Sequence, residues 1–285
     1  MKRQQLIVVS SSVILFASLF FFGKTISPKN KNNKPVQEQQ HSKDEHASIN
    51  FKDLLTKAKQ KLSQEQIVRI TALENSVTRG DVKQQQIHIY HQLAKFWKDS
   101  AKIFEPYAYY NAEAAKLDNS EKSLTFAAQL FIDNLFAEGE PAMLNWLATN
   151  GKVLLEKALV LNPTNDSSKI GLGACYILGN ISDQPMIGIL PVREIAEKNP
   201  DNLYAQLILG LGGKKSGQYD KAIERFTIIV KKQPQNLGAI LHLAECYDLK
   251  GDKPNAIKWY QVVKSIIPNP EAKKELDDRI NQLKS

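Results

Sequence analysis

The chain has 285 residues, of which 42% are hydrophobic and 24% charged, so it is long enough for one or two ordinary domains or for one long solenoid. Its net charge is +8, and residues 1–49 carry half of that excess, with seven basic residues against three acidic ones. The remaining positive charge is spread over the rest of the chain without a basic stripe that interleaves with aromatic residues. We therefore expect no nucleic-acid binding.

The N-terminal segment from Leu6 to Phe22 is a run of 17 residues without a charge. As a helix it would be about 26 Å long, which is near the lower limit for crossing a bilayer. A cleaved signal peptide is the alternative, but its apolar core is normally shorter and ends at a small-x-small site, which is missing before Gly23 and Lys24. The sequence therefore predicts an uncleaved signal anchor over residues 1–23.

Lysines and arginines flank this segment on both sides, so their count does not decide the orientation in the membrane. A very short N-terminal tail followed by a long domain usually leaves the tail inside the cell. We therefore expect a single-pass protein of the cell (inner) membrane whose C-terminal domain is periplasmic or extracytoplasmic.

Residues 24–49 are polar and nearly free of large apolar side chains, so they cannot bury enough surface to offset the entropy of ordering. We expect a flexible linker. A flexible chain of this length has a root-mean-square span of about 28 Å between its ends.

From residue 50 onward, apolar residues recur at helical spacing, and no stretch keeps the two-residue alternation of a strand. Residues 50–119 are predicted to form N-terminal helical hairpins. A helix is expected to start at Ser63, with Glu65 and Gln66 near its third position as a capping pair, and to end at Gly80 in a left-handed C-cap.

Two stretches near the C-terminus repeat each other at a spacing of 34 residues. Small, aromatic and proline residues recur in the same order: Gly210 with Ala244, Gly217 with Gly251, Ala222 with Ala256, Phe226 with Tyr260, and Pro234 with Pro268. This pattern resembles the tetratricopeptide repeat. The resemblance is specific over residues 203–270, extends with irregular spacing back to residue 120, and is looser over residues 82–119.

The resemblance implies an all-α fold, namely an α-solenoid of tetratricopeptide-type helix hairpins over residues 120–285. Each hairpin exposes an apolar face that the next one covers. Residues 121–163 depart from the 34-residue period through an expanded turn, and Pro191 is expected to kink its helix or to shift the start of that helix. Residues 271–283 have one apolar stripe and predict a capping helix.

No catalytic or cofactor signature is present. The glycines between Gly210 and Gly217 lack the spacing of a phosphate loop and fall within a repeat, and His88 and His91 have no evident third ligand. Cys175 and Cys246 lack metal-ligand spacing, and the repeat register puts them too far apart for a disulfide. We therefore predict a protein that is not an enzyme and has no metal or cofactor.

In tetratricopeptide repeats the first helix of each hairpin lines a concave groove. The resemblance implies that the partner-binding groove here is formed by Tyr204, Leu207, Ile208, Leu211, Lys214, Leu241, His242, Glu245 and Asp248. The pattern of basic residues and asparagines that clamps C-terminal carboxylates in some members is absent, so we expect an apolar or amphipathic ligand. The alternative is that Leu207, Ile208 and Leu211 pack against the C-terminal helix or against another copy of the chain.

The predicted function is that of a membrane-anchored scaffold that mediates protein–protein interactions. The alternative is an exported chaperone or envelope-complex assembly factor that binds hydrophobic client segments. A homo-oligomer is a further possibility.

Overall fold

The computed structural model describes residues 49–79, 82–136 and 139–285, with side chains throughout except at residues 78 and 79. The predicted anchor, nearly all of the predicted linker and the Gly80 C-cap lie outside these residues. Within the described residues every regular element is a helix and none is a strand.

Among the described residues, the N-terminal part contains four α-helices and one π-helix. They are α1 (Phe51–Lys59), α2 (Gln64–Arg79), α3 (Lys83–Lys95), a π-helix (Phe96–Ala101) and α4 (Phe104–Asp118). The capping prediction at Ser63 is confirmed for Gln66, because the Ser63 amide donates to Gln66 Oε1 at 3.0 Å and the Gln66 amide donates to Ser63 Oγ at 3.3 Å. The sequence pattern did not indicate the π-helix.

The C-terminal part continues with nine α-helices. They are α5 (Glu121–Leu135), α6 (Pro141–Leu161), α7 (Asp166–Leu178), α8 (Met186–Lys198), α9 (Leu203–Lys215), α10 (Tyr219–Lys232), α11 (Leu237–Lys250), α12 (Lys253–Ile266) and α13 (Pro270–Lys284). Consecutive helices pack as hairpins, and the first helices α5, α7, α9 and α11 also contact one another in sequence. The predicted all-α, solenoid-like fold is confirmed for the described residues.

The residues that recur every 34 positions have the physical roles that the repeat requires. Gly217 and Gly251 both have a positive φ, 73° and 83°, at the turn between two helices, a conformation that L side chains rarely adopt. Phe226 is fully buried, and a Cβ atom on Gly210 would lie 2.9 Å from its ring. Glycine at position 210 therefore lets α9 and α10 approach closely.

The first helices of three successive hairpins begin with an asparagine cap. The side chains of Asn165, Asn202 and Asn236 each accept a hydrogen bond from the backbone amide three residues further on, at 2.9, 3.1 and 3.0 Å. These bonds satisfy amides that have no partner inside the helix. They fix where α7, α9 and α11 begin, and hence which residues face the groove.

Pro191 lies inside α8 at its sixth position, and the helix runs on to Lys198. The turn before it, between α7 and α8, absorbs the irregular spacing that the sequence shows. α7 and α8 then cross at two glycines: a Cβ on Gly173 would lie 2.3 Å from Val192 Cγ2 and 2.9 Å from the Gly188 carbonyl oxygen.

Candidate functional site

An apolar cavity of about 460 Å³ opens on the face formed by the first helices. The end of α5 and the residue after it contribute Leu135 and Phe136, α7 contributes Leu178, and α9 contributes Leu203, Tyr204, Leu207 and Leu211. The opposite wall is formed by Ile229 of α10, the cap residue Asn236, and Gly238, Ala239 and His242 of α11. We refer to this cavity as the groove.

The spacing along α9 determines which of its side chains reach the groove. Tyr204, Leu207 and Leu211 are three and four residues apart and therefore lie on one helix face. Ile208 lies in the interior and is fully buried. The expectation that Ile208 lines the groove is corrected, because this side chain packs in the core with Ala205 and cannot contact a ligand.

A polar cluster lies beside the groove on α9 and α11. Lys214 Nζ forms an ion pair with Glu245, and His242 Nδ1 lies 3.0 Å from Glu245 Oε2. Burial of Glu245 would raise its pKa, but the hydrogen bonds to His242 and Lys214 and the charge of Lys214 outweigh burial, so that the pKa lies below its ordinary value. The carboxylate is therefore ionised near neutral pH.

Two of the predicted groove residues have other partners. Asp248 accepts hydrogen bonds from Arg279 Nε and Nη2 of α13, at 2.7 and 2.6 Å, and from the Tyr260 hydroxyl at 3.0 Å. Leu241 packs against the cluster between α11, α12 and α13. Neither residue lines the groove. Both belong to the surface against which the capping helix α13 packs.

Of the nine predicted residues, the structure therefore brings Tyr204, Leu207, Leu211 and His242 to the groove and places Lys214 and Glu245 beside it. Sequence reasoning missed the contribution of α5. Phe136 is a large aromatic residue with 41% of its surface exposed. Such exposure indicates a binding surface, but it can be read only from the structure. The 34-residue register breaks down in this region, so the pattern could not align α5 with α9.

The Tyr204 hydroxyl is a buried polar group at the groove wall and has no hydrogen-bond partner in the described part of the chain. Burial raises the pKa of Tyr204, with smaller contributions from Cys175 and Asp133. An unpaired buried hydroxyl is unfavourable for the fold, and because the oxygen itself is buried, a ligand in the groove contacts the ring of Tyr204 and not its hydroxyl.

The C-terminal helix does not fill the groove. None of the groove residues belongs to α13, which packs instead against α12 through Ile280 and Leu283. Of the alternatives raised by the sequence, packing of Leu207 and Leu211 against the C-terminal helix is therefore excluded.

Groups for other chemistry are sparse among the described residues. No group of three or more histidine, cysteine, aspartate or glutamate residues there could hold a metal ion. Burial raises the pKa of Cys175 to about 12 and that of Cys246 to about 11, so both thiols are protonated at neutral pH. In the same part of the chain, no helix is both long and apolar enough to cross a membrane.

Comparison with known proteins agrees with the repeat geometry. The tetratricopeptide repeat family model matches residues 215–275, that is, the end of α9 through the start of α13. This stretch is similar to the tetratricopeptide repeat. The groove lies where this region joins the hairpins that precede it.

Several solved structures are similar to the chain. A MamA structure is 19% identical, with 63% of this chain and 91% of that chain covered and a TM-score of 0.44. Another MamA structure, of residues 41 to the end from Desulfovibrio magneticus RS-1, is 20% identical, with 66% and 96% covered and a TM-score of 0.45. YrrB, described as a TPR protein with an unusual peptide-binding site, is 16% identical, with 73% and 98% covered and a TM-score of 0.44.

Proposed function

We propose that the protein is a membrane-anchored scaffold that binds a helical, amphipathic segment of a protein partner in the groove. The role is binding rather than catalysis. The observation that carries the proposal is the apolar groove itself, with Leu207, Leu211 and Phe136 on its surface and no helix of the described chain lying in it.

The chemistry of the groove selects the kind of occupant. Its apolar wall suits the leucine-rich face of a helix, in which side chains three and four residues apart lie together. Beside this wall the Lys214–Glu245 pair and His242 offer both a cationic and an anionic partner to polar residues of the ligand. An amphipathic segment matches both surfaces, whereas a uniformly apolar one would take water away from the charged pair and offer it no hydrogen bond in return.

The anchor rests on the uncharged run of residues 6–22, and the orientation rests on the short N-terminal tail that precedes it. In this proposal residues 24–285 lie outside the cytoplasm, tethered by the polar linker. A reporter enzyme that is active only after export, fused to the C-terminus, should be active in cells. A silent reporter whose fusion protein is present in the membrane fraction would contradict this orientation.

The binding role is tested by photo-crosslinking in native membranes. A photoreactive amino acid at Leu207 should capture one or two partner proteins, identified by mass spectrometry. The matched control is the same amino acid at Leu190, which lies on α8 and is 53% exposed, away from the groove. The partners captured at position 207 should be absent at position 190.

A pair of substitutions checks the same result. Leu207→Glu with Leu211→Glu should abolish co-purification of the partner while helicity and the melting temperature are kept. Ile187→Glu with Leu190→Glu on α8 introduces the same charges and should have no effect on the partner. If the groove variant unfolds, the photo-crosslinking experiment decides alone, because a single photoreactive residue at position 207 leaves the packing nearly unchanged.

The competing functions give different outcomes. Many weakly captured clients, together with suppression of heat aggregation of an unrelated protein, would establish a chaperone. Cross-links only to the same chain, with a mass well above 32.1 kDa by light scattering in detergent after subtraction of the micelle, would establish self-assembly. Either result would overturn the scaffold proposal.

A further inference from the structure

A second cleft, of about 540 Å³, lies in the N-terminal hairpins, far along the chain from the groove. Its sides are formed by α2 and α3, and its end by the π-helix. The polar and charged residues that line it are Arg69 of α2, His88, His91, Gln92 and Lys95 of α3, and Asp99 and Ser100 of the π-helix. Leu73 and Phe96 supply its apolar part.

The geometry of this cleft is fixed by contacts at its end. Gln66 Nε2 donates to the Ser100 carbonyl oxygen at 3.0 Å and so ties the start of α2 to the π-helix. The Arg69 guanidinium lies 5.8 Å from the centroid of the buried Phe96 ring, a cation–π contact that orients it. π-helices are rare and are frequently found at functional sites. Here the π-helix places Asp99 and Ser100 at the cleft.

Among the described residues, the two cations that line the cleft form no ion pair. In the described part of the chain neither Arg69 nor Lys95 has a carboxylate within 4.0 Å, although Lys59 pairs with Glu74 at 2.6 Å on the same helix bundle. Asp99 is the one carboxylate among the residues that line the cleft, and it forms no ion pair with another described residue. Positive charge in a concave site is focused and raises the local concentration of anions.

The two histidines do not convert the cleft into a metal site. His88 and His91 are three residues apart on α3, and His88 Nε2 lies 2.9 Å from Gln92 Nε2. Together with Asp99 they would supply three ligands, but no group of three such residues in the described chain has metal-binding geometry. His88 Nε2 accepts from the Gln92 amide, whereas the exposed His91 offers an imidazole N–H as a hydrogen-bond donor to an anion.

We propose that this cleft is a second docking site, which binds a short acidic segment of a protein partner. Arg69 receives one carboxylate of that segment in a bidentate geometry, and Lys95 with His91 receives another. The site is independent of the groove, so the scaffold would hold two segments, one amphipathic and one acidic. They can belong to one partner or to two.

The test uses the full chain in detergent micelles and a fluorescein-labelled hexaglutamate peptide, with binding measured by fluorescence anisotropy. Arg69→Gln with Lys95→Gln should weaken binding at least about tenfold, because two charge-assisted contacts are lost. The matched control is Lys57→Gln with Lys231→Gln, which removes two exposed cations outside the cleft and should change the affinity less than about twofold.

Three results would overturn the proposal: equal weakening by the control pair, which would show attraction to the net charge alone; equally tight binding of hexalysine; or binding that appears only after Zn²⁺ is added. The groove variant Leu207→Glu with Leu211→Glu should bind hexaglutamate as the wild type does. A failure of the groove proposal would therefore be distinguishable from a failure of this one.

Discussion

Close helix crossings in this protein depend on individual glycines. At the crossing of α7 and α8, Gly173 faces both Val192 and the backbone of Gly188. Alanine has the higher helix propensity, by about 1 kcal/mol, so the choice of glycine is explained by space and not by propensity. Packing decides the identity of this residue.

The corresponding prediction is that Gly173→Ala lowers the free energy of unfolding by about 1–3 kcal/mol, because its Cβ would overlap Val192 and the Gly188 carbonyl. Gly238→Ala is the control, since the nearest atom to its Cβ would be Asn236 Oδ1 at 3.7 Å. That variant should be neutral or up to about 1 kcal/mol more stable. Urea unfolding followed by circular dichroism measures both, and equal effects would refute the packing argument.

A second residue-scale feature is the carboxylate of Asp248, which joins α11 to the capping helix. Hydrogen bonds from Arg279 and, after them, from Tyr260 hold the pKa of Asp248 below its ordinary value of 3.8, against the opposing effect of burial. A folded-state pKa that lies below the unfolded value means that ionised Asp248 stabilises the fold above pH 3.8. This contribution is lost as the pH falls through the folded-state pKa.

Asp248→Asn should therefore be less stable than the wild type at pH 7, and the difference should shrink as the pH falls below about 4. Asp278→Asn, an exposed carboxylate on α13, is the control and should show little difference at either pH. Urea titrations at several pH values measure the difference in unfolding free energy between the wild type and each variant. If this difference is constant with pH, the lower stability of Asp248→Asn comes from altered hydrogen bonding and packing and not from the lost charge.

At the scale of elements, α13 acts as the end cap of the array. It covers α12 with Ile280 and Leu283, which are buried beside Ala256 and Tyr260, while the rest of its sequence is strongly polar. An array that ended at α12 would expose this apolar surface to water. The helix therefore contributes both burial and solubility.

Ile280→Ala should lower the free energy of unfolding by about 2–4 kcal/mol, through lost apolar contacts and the cavity left behind. Lys274→Ala, on the exposed face of the same helix, should change it by less than about 0.5 kcal/mol. Deletion of residues 270–285 should have a larger effect than Ile280→Ala and should promote aggregation. A deletion variant that is as stable as the wild type would show that α13 is dispensable.

At the scale of the whole described structure, the core is divided into clusters along the chain rather than concentrated in one centre. Each region has one of the three tryptophans: Trp97 in the N-terminal cluster, Trp146 in the central cluster, and Trp259 against the two C-terminal clusters. Because each hairpin contacts mainly its neighbours, stability is local and unfolding need not be two-state.

Phe226→Ala should therefore destabilise the C-terminal hairpins by about 3–5 kcal/mol and leave the N-terminal cluster largely intact. Variants that keep a single tryptophan, with phenylalanine at the other two positions, separate the signals. The urea midpoint reported by Trp259 should fall more than that reported by Trp97. Coincident shifts at both tryptophans would contradict local stability and indicate one cooperative unit.

The sequence by itself determined the features that depend on neighbours along the chain. The helical spacing of apolar residues, the Ser63–Gln66 cap and the glycines at 217 and 251 each act within a turn or two of helix, so their residue types reveal them. The 34-residue recurrence predicted helix hairpins and their stacking, because each repeat must cover the apolar face of the next. The prediction of a membrane anchor likewise depends only on a local feature, the uncharged run of residues 6–22.

Only the tertiary structure decided which side chains form the groove. Leu207 and Ile208 are adjacent and chemically alike, yet the first lines the groove and the second is buried, because the neighbouring hairpins cover one face of α9 and leave the other open. Phe136 lines the groove although its hairpin has irregular spacing. Asp248 was expected in the groove but accepts hydrogen bonds from Arg279 on α13. Such contacts join residues far apart in the chain, and their geometry depends on how the hairpins pack rather than on any local pattern.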